Sequence, residues 1–256
     1  MDSSLVAEVR LLGLPSLPEV RPGDDLGALI AVSIRDSGLG LERGDILVVT
    51  HKVVSKAEGQ LVELHTIEPS ALAHHFASEY GKDPRQVEVA MRESERIVRM
   101  DRGVMISETR HGFICANAGV DASNAAEDTI CLLPVDPDAS AERLRHHLQQ
   151  EFGVNPGVII SDSFGRPFRN GIVNIAVGVS GLAPLADYRG KTDLAGYELH
   201  VTVIAVADEL ASAAELVMHK LDRRPLVLIR GYIPPTDSAA GTGQDLVMDP
   251  ARNLFP

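Results

Sequence analysis

Tryptophan is absent from this 256-residue chain, and aromatic residues of all kinds make up only 4% of it. Exposed rings on which nucleic-acid bases stack are therefore not suggested. Positive charge is also short: 24 Lys and Arg stand against 36 Asp and Glu, a net charge of -12. General nucleic-acid binding needs the opposite balance, because Lys and Arg must neutralise phosphates. A local basic site remains compatible with an acidic protein. The 2 cysteines, Cys115 and Cys131, lie inside apolar runs. They read as reduced, buried thiols and not as a disulfide framework, and no metal-type cysteine spacing occurs. No apolar run approaches the roughly 20 residues that span a bilayer. The start, Met1-Asp2-Ser3-Ser4, lacks the basic and apolar regions of a signal peptide. These features point to a cytoplasmic protein. Neither a Walker A loop nor a GxGxxG fingerprint is present. No internal repeat or low-complexity segment occurs.

Apolar residues make up 45% of the chain, enough to build one large domain or two small ones with a proper core. One stretch concentrates chemistry: Ser161-Asp162-Ser163-Phe164-Gly165-Arg166-Pro167-Phe168-Arg169-Asn170-Gly171. Apolar runs lead into it (157–160) and away from it (172–177). A strand that ends in such a cluster delivers polar groups rigidly to a site. Asp holds hard cations, and Arg makes bidentate bonds to phosphate or carboxylate. Metal plus phosphate is the functional reading; a polar turn with a surface ion pair carries about equal weight for an isolated stretch.

Taken in order, residues 6–12 are strand-like and 13–18 form a rigid turn. Asp24 and Asp25 cap a helix with Leu26, Leu29, Ile30 and Ile34 at helical spacing. A buried strand (46–49) then runs into the polar stretch 50–59, where Lys56 reads as a phosphate-reaching charge or as a solvated edge-strand lysine. Pro69-Ser70 starts a helix ending near Gly81, and Asp83-Pro84 starts another. Residues 92–99 read as a charged helical face leading into a strand, and 104–107 with 112–116 as a hairpin. The spacing predicts a strand over 129–135, a helix over 140–152 stopped by Gly153, and a strand-like segment over 198–206. It further predicts a helix over 208–220 and a last buried strand over 226–229. From Pro234 on the chain reads as a linker or loosely docked arm. Domain limits of 1–233 and 234–256 follow. Helices and strands do not alternate strictly, so an α+β fold is expected.

Asp121 follows a strand and a small residue, as Asp162 does. If the fold brings them together, two carboxylates and the Ser163 hydroxyl make an oxygen-rich site suited to Mg²⁺ or Mn²⁺. A divalent cation would remove the repulsion between the carboxylates. Lys56, Arg166 and Arg169 would supply the positive charge that nucleotide phosphates need.

At these residues the chain resembles a known family. The runs 53–59 (VVSKAEG), 117–124 (NAGVDASN) and 161–169 (SDSFGRPFR) are similar to those of coenzyme F420-0:L-glutamate ligases, also called γ-glutamyl ligases. The Gly13-Leu14-Pro15 turn and the run Ala207-Asp208-Glu209-Leu210 fit as well. The similarity extends over roughly residues 6–232, with the motifs in order. The resemblance implies GTP-dependent addition of L-glutamate to the lactyl-phosphate side chain of the deazaflavin coenzyme F420-0, through an acyl phosphate. It implies a family-specific α+β fold with mixed or antiparallel sheets and flanking helices, an intertwined homodimer, Mg²⁺ or Mn²⁺, and K⁺ as a further candidate ion. Carried over, Asp121, Asp162 and Ser163 would be metal ligands. Leu14, Pro15, Ser16, Leu17, His51, Lys52, Lys56 and Asn124 would line the nucleotide site. Asp162, Arg166 and Arg169 would take part in catalysis, with an arginine clamping phosphate or a glutamate carboxylate.

One region departs from the pattern. Where the family commonly has a Gly-rich segment, this chain reads Met218-His219-Lys220-Leu221-Asp222-Arg223-Arg224-Pro225. Some members place nucleotide contacts and a further acidic metal ligand there. Met218 and Lys220 are candidates for the former, but Lys220 cannot be the latter, since an ammonium has no lone pair. One metal or two stays open. So do two other functions: a non-catalytic nucleotide- or deazaflavin-binding module, and a metal-dependent phosphohydrolase.

Overall fold

The structure is a computed structural model that describes residues 7–123, 127–235 and 239–253. Asn124, expected at the nucleotide site, and Val6, expected to open the first strand, lie outside the described residues. The chain opens with β1 (Arg10–Gly13), α1 (Leu26–Asp36), β2 (Ile46–Thr50), α2 (His51–Ala57) and β3 (Leu61–Glu63). Then come α3 (Ala71–Tyr80), α4 (Pro84–Arg92), β4 (Ser94–Asp101), β5 (Val104–Thr109), β6 (Ile114–Ala116) and β7 (Thr129–Cys131). It closes with α5 (Pro137–Phe152), β8 (Gly157–Arg166), β9 (Arg169–Ser180), β10 (Ala186–Asp187), β11 (Val203–Ile204), α6 (Val206–Met218) and β12 (Leu226–Arg230).

The main sheet has the order β1-β12-β2-β8-β9, with β2 and β8 parallel and the other neighbours antiparallel. The fold is therefore mixed α+β. Its central strands are apolar on both faces because both faces are covered. Leu47, Val49, Val158 and Ile160 point to one side, where Ile30 and Ile34 of α1 and Leu144 and Leu148 of α5 complete a core. Ile46, Val48, Ile159 and Ile229 point to the other, against Leu210, Ala211, Ala214 and Met218 of α6. Burying each large side chain of this kind contributes about 1.5–3 kcal/mol, so the sheet is the rigid part of the molecule.

A second region packs beside it. The helices α3 and α4 meet through Phe76, Ala77 and Val87, and β4-β5-β6 form a three-stranded antiparallel sheet. Capping fixes these helices as expected: Ser70 accepts from Ala73 N, Gly81 closes α3 in the left-handed conformation, and Asp83 accepts from Arg85 N. The tail folds back onto the sheet. Asp138 accepts hydrogen bonds from Val179 N at 2.7 Å and Gly243 N at 2.6 Å.

Several local expectations fail for identifiable reasons. The polar stretch after β2 is a helix, α2, although Val53 and Val54 are poor helix formers and Thr50 makes no side-chain cap bond. Burial of His51, Val54 and Ser55 overrides propensity there. Residues 94–101 are a strand, β4, not a helical face; its charges sit on an edge strand, where they deter unwanted pairing. Residues 161–171 are not a loop. They form the outer end of the β8–β9 hairpin, with Asp162 paired to Ile175 and Ser163 to Asn174. The helix expected from 140 begins at Pro137, because Asp136 caps it and proline suits its first turn. The strands expected over 129–135 and 198–206 shrink to Thr129–Cys131 and Val203–Ile204.

Candidate functional site

The chain passes from β2 directly into α2, and α2 gathers the site. Positions four apart share one face of a helix, so His51 and Ser55 form one stripe, and Lys52 and Lys56 form the next. His51 is buried, with Nε2 3.2 Å from Asp162 Oδ1 and Nδ1 3.4 Å from the Ser55 hydroxyl. The Nε2 approach is not aligned as a hydrogen bond, and that atom is left buried without a hydrogen-bond partner. Lys52 Nζ lies 2.7 Å from Asp121 Oδ2 and also donates to the Ser123 hydroxyl. Lys56 Nζ lies 2.6 Å from Glu19 Oε1. One short helix thus meets three carboxylates from three distant segments.

The two aspartates are presented differently. Asp162 lies on β8 just past a register irregularity between Ile160 and Ser161, the kind of feature that re-aims a side chain. Its Oδ1 also accepts from Ser163 N at 2.7 Å. Burial and the Asp162 charge together push the Cys115 thiol up to about 12. Asp121 follows the short 3₁₀ turn Asn117–Gly119, where Asn117 and Ala118 are both left-handed. Its backbone pairs with Cys131 in both directions. Burial pushes the Asp121 carboxyl up, but the Lys52 hydrogen bond, the Ser123 amide and the Lys52 charge outweigh it and hold the group below its usual range.

The other expected residues fall into three groups. Ser163 Oγ donates to Asn174 Oδ1 at 2.8 Å and accepts from Lys220 Nζ, so Ser163 and Lys220 meet on the α6 face of β8, opposite the face on which Asp162 meets His51 of α2. In the segment Leu14, Pro15, Ser16 and Leu17, Leu14 is core, Pro15 O accepts from Ser33 Oγ at 2.9 Å, Ser16 is exposed and Leu17 packs on the core edge. The ion pair from Glu19 to Lys56 ties this segment to α2. Met218 is also core, so a ligand would meet its backbone and not its side chain. Arg166 and Arg169 stand at the far end of the β8–β9 hairpin. Arg166 donates to Asn170 O at 3.0 Å, and Arg169 is exposed. Among the described residues, neither makes an ion pair with Asp121 or Asp162; at about 3.3 Å per strand residue, Arg166 begins roughly 13 Å beyond Asp162.

Sequence reasoning missed Glu19, Asn174 and Glu215. Asn174 did leave a signal: it is the lone amide in the apolar run 172–177. Glu215 looks like any exposed acid of an Ala-rich helix.

Among the described residues, no three His, Cys, Asp or Glu side chains cluster tightly enough to cage a metal ion. The donor set does fit Mg²⁺ or Mn²⁺ in kind. Such ions take oxygen ligands, use one or two protein carboxylates, and keep water or phosphate in the remaining positions. Asp121 and Asp162, each facing a cationic or imidazole group of α2, meet that description.

Fold and site together define a mixed-sheet α+β protein whose short helix α2, at the end of the parallel pair β2–β8, meets Asp162 through His51 and Asp121 through Lys52. A family model described as F420-0:Gamma-glutamyl ligase matches residues 15–231. The chain belongs to this family. It is 49% identical over 250 residues to a protein of Methanopyrus kandleri named coenzyme F420:L-glutamate ligase, an alignment covering 96% of this chain and 97% of that one. Proteins of the same name from Methanothermobacter thermautotrophicus and Methanocaldococcus jannaschii are 48% and 43% identical, over 88% and 97% of this chain and 89% and 97% of theirs. No helix among the described residues is long and apolar enough to cross a membrane.

Proposed function

We propose that the protein is a ligase that joins the amine of L-glutamate to the side-chain carboxylate of coenzyme F420-0 and consumes GTP in doing so. The observation that carries the reading is that α2 meets two aspartates far apart in sequence: Lys52 pairs with Asp121, and His51 Nε2 lies 3.2 Å from Asp162 Oδ1. A carboxylate is a poor electrophile. In the first step its oxygen takes the γ-phosphoryl group of GTP and GDP leaves, giving an acyl phosphate. In the second, the deprotonated amine attacks the carbonyl carbon and inorganic phosphate leaves.

The residues suit these tasks. Lys52, Lys56 and Lys220 supply positive charge for the phosphates, and Leu14 to Leu17 line the nucleotide through their backbone. Asp121 and Asp162 would hold Mg²⁺ or Mn²⁺; Ser163, expected to join them, faces the other side of β8 and could meet only a separate ion. Such an ion, when bound, neutralises charge on a transferring phosphoryl group. Arg166 and Arg169, out on the hairpin, would recruit an anionic group of F420-0 or glutamate from solution. The protein would act as a homodimer, a reading supported by the exposed apolar side chains Leu194, Tyr197 and Val201.

The test is incubation of the purified protein with F420-0, L-glutamate, GTP and Mn²⁺, read by mass spectrometry. A mass gain of one glutamyl unit supports the ligase. Loss of GTP without that gain marks a phosphohydrolase. Tight binding with neither marks a non-catalytic module.

A further inference from the structure

We infer that Lys56, Arg21 and Arg223 form a subsite for one phosphate group, and that the Glu19 carboxylate occupies this subsite until a ligand displaces it. This rests on the proposed function, in which Lys56 supplies charge for a phosphate, and adds to it two arginines and the acid that closes the site. Three segments meet at the end of the main sheet where α2 begins. Thr50 N donates to Pro225 O and Leu14 N to Leu226 O, both at 3.0 Å. The loop over residues 219–225 therefore lies beside both α2 and the segment that follows β1. That segment then returns to the end of α2, where Gly23 N donates to Ala57 O at 2.9 Å. Val20 is buried within it, and the exposed Glu19 and Arg21 flank Val20. Glu19 Oε1 lies 2.6 Å from Lys56 Nζ. The Lys56 hydrogen bond and charge, helped by the charges of Arg223 and Arg21, hold the Glu19 carboxyl below its usual range.

Three cations thus surround one carboxylate, and the pairing is uneven. The Lys56 side chain is 15% exposed and the Glu19 side chain 72%. The ammonium is held in place, while the carboxylate needs only to swing into water. Arg21 bonds to Asp24 through its backbone alone, and Arg223 sits in a left-handed turn at a φ of 56°. Among the described residues, neither guanidinium makes a close ion pair, although both act on Glu19 through their charge. An exposed carboxylate in an ion pair contributes little, so a phosphate with two negative charges outcompetes it. With Glu19 displaced, one ammonium and two guanidinium groups face the ligand, and guanidinium groups bind phosphate oxygens in pairs. Lys52 lies one helical turn, about 5.4 Å, from Lys56. The subsite is therefore on the Asp121 side of α2, since Lys52 pairs with Asp121.

Calorimetry of the full-length protein with inorganic triphosphate, GTP and F420-0, each alone, tests the subsite. Glu19→Gln removes the competing charge and keeps an oxygen for Lys56. This variant is expected to bind the ligand that uses the subsite about 3- to 5-fold more tightly, and Arg223→Gln about 10-fold more weakly. A response of triphosphate and GTP together assigns the phosphate to the nucleotide. A response of F420-0 alone assigns it to the phosphate of the coenzyme side chain. Either supports the subsite. Weaker binding by Glu19→Gln overturns it, because a Glu19 that is purely structural, or that itself contacts the ligand, gives that sign. Unchanged affinities in both variants, with wild-type binding intact, overturn the subsite and leave the proposed function standing. Triphosphate binding that responds to both variants, in a protein that binds neither GTP nor F420-0, keeps the subsite and overturns the proposed function. A wild-type protein that binds none of the three overturns both.

Discussion

Asp162 and Asp121 come from regions built in opposite ways. Asp162 continues a strand whose preceding residues, Val158, Ile159 and Ile160, are fully buried between two helical layers. Its position is set by the packing of the whole sheet. Asp121 follows a turn with two successive left-handed non-glycine residues, and a few bonds hold it: the Cys131 backbone pair, the Ser123 amide and Lys52. The contrast teaches that one half of the site is preset by folding and the other is held in place by the site itself. Disturbing the packing that sets the first should damage the protein; disturbing the bonds that hold the second should damage the chemistry and spare the fold.

The largest expected effect isolates chemistry on the rigid side. Asp162→Asn keeps the shape and the bond from Ser163 N but removes the charge. Glutamate ligation should fall by about 100-fold or more, with little change in thermal midpoint. Full activity in this variant would remove Asp162 from the mechanism.

Two glycines then set the regions against each other. A Cβ on Gly178 would press into the Pro137 carbonyl oxygen, where β9 meets α5. Overpacking against backbone costs about 1–3 kcal/mol, so Gly178→Ala should lower the melting temperature of the whole protein. A Cβ on Gly119 would lie 2.8 Å from the Leu133 side chain at a φ of +73°, near Asp121. That strain is local. Gly119→Ala should weaken ligation proportionally more than it lowers the melting temperature, and hydrogen exchange should show its opening confined to residues near Asp121. Equal behaviour of the two variants would erase the contrast.

A smaller effect sharpens it. Lys52→Met removes the cation that holds Asp121 and a proposed phosphate contact. Turnover should fall about 10-fold, while urea unfolding shifts by less than about 1 kcal/mol, because the pair is partly exposed.

The smallest lies away from the site, on the α5–β9 contact. The Arg145 hydrogen bond, with help from the Ser180 hydroxyl, lowers the Glu142 carboxyl from 4.5 to about 2. A carboxyl lowered by folding stabilises above its unfolded value, and the contribution fades as pH falls from 4.5 toward 2. Glu142→Gln should therefore be slightly less stable than wild type at pH 7, by no more than about 1 kcal/mol after solvent screening. Acid titration followed by circular dichroism should show the gap closing below pH 4.5.

Capped helices and buried strands were legible in the sequence because their signals are local. Ser70 with Gly81, Asp83-Pro84 and the run Ile46–Val49 each carry their own instruction. The pieces that build the site were not. α2 contains two β-branched valines and no side-chain cap bond, so only burial against the sheet reveals it. The 161–171 stretch reads as a loop because its polar residues hide the pairing that β9 supplies. Asp121, Asp162 and Ser163 were recognisable as acid and hydroxyl at strand ends, but their partners were not. Which residue faces Asp121 depends on Lys52 arriving from another segment, and the hydrogen bonds from Asn174 to Glu215 and from Ser163 to Asn174 join three elements, α6, β9 and β8, through the tertiary fold alone.

The central claim is that α2 gathers Asp121 and Asp162 into one cation site. A crystal structure of the protein with Mn²⁺ and GTP, with the metal located by its anomalous scattering, tests it most directly. The account predicts one peak bonded to oxygens of both aspartates, at about 2.0–2.2 Å, a magnesium-like distance, with Lys52 turned from Asp121 to the phosphates. A peak bonded to neither carboxylate, or to Asp121 alone with His51 still against Asp162, would contradict it.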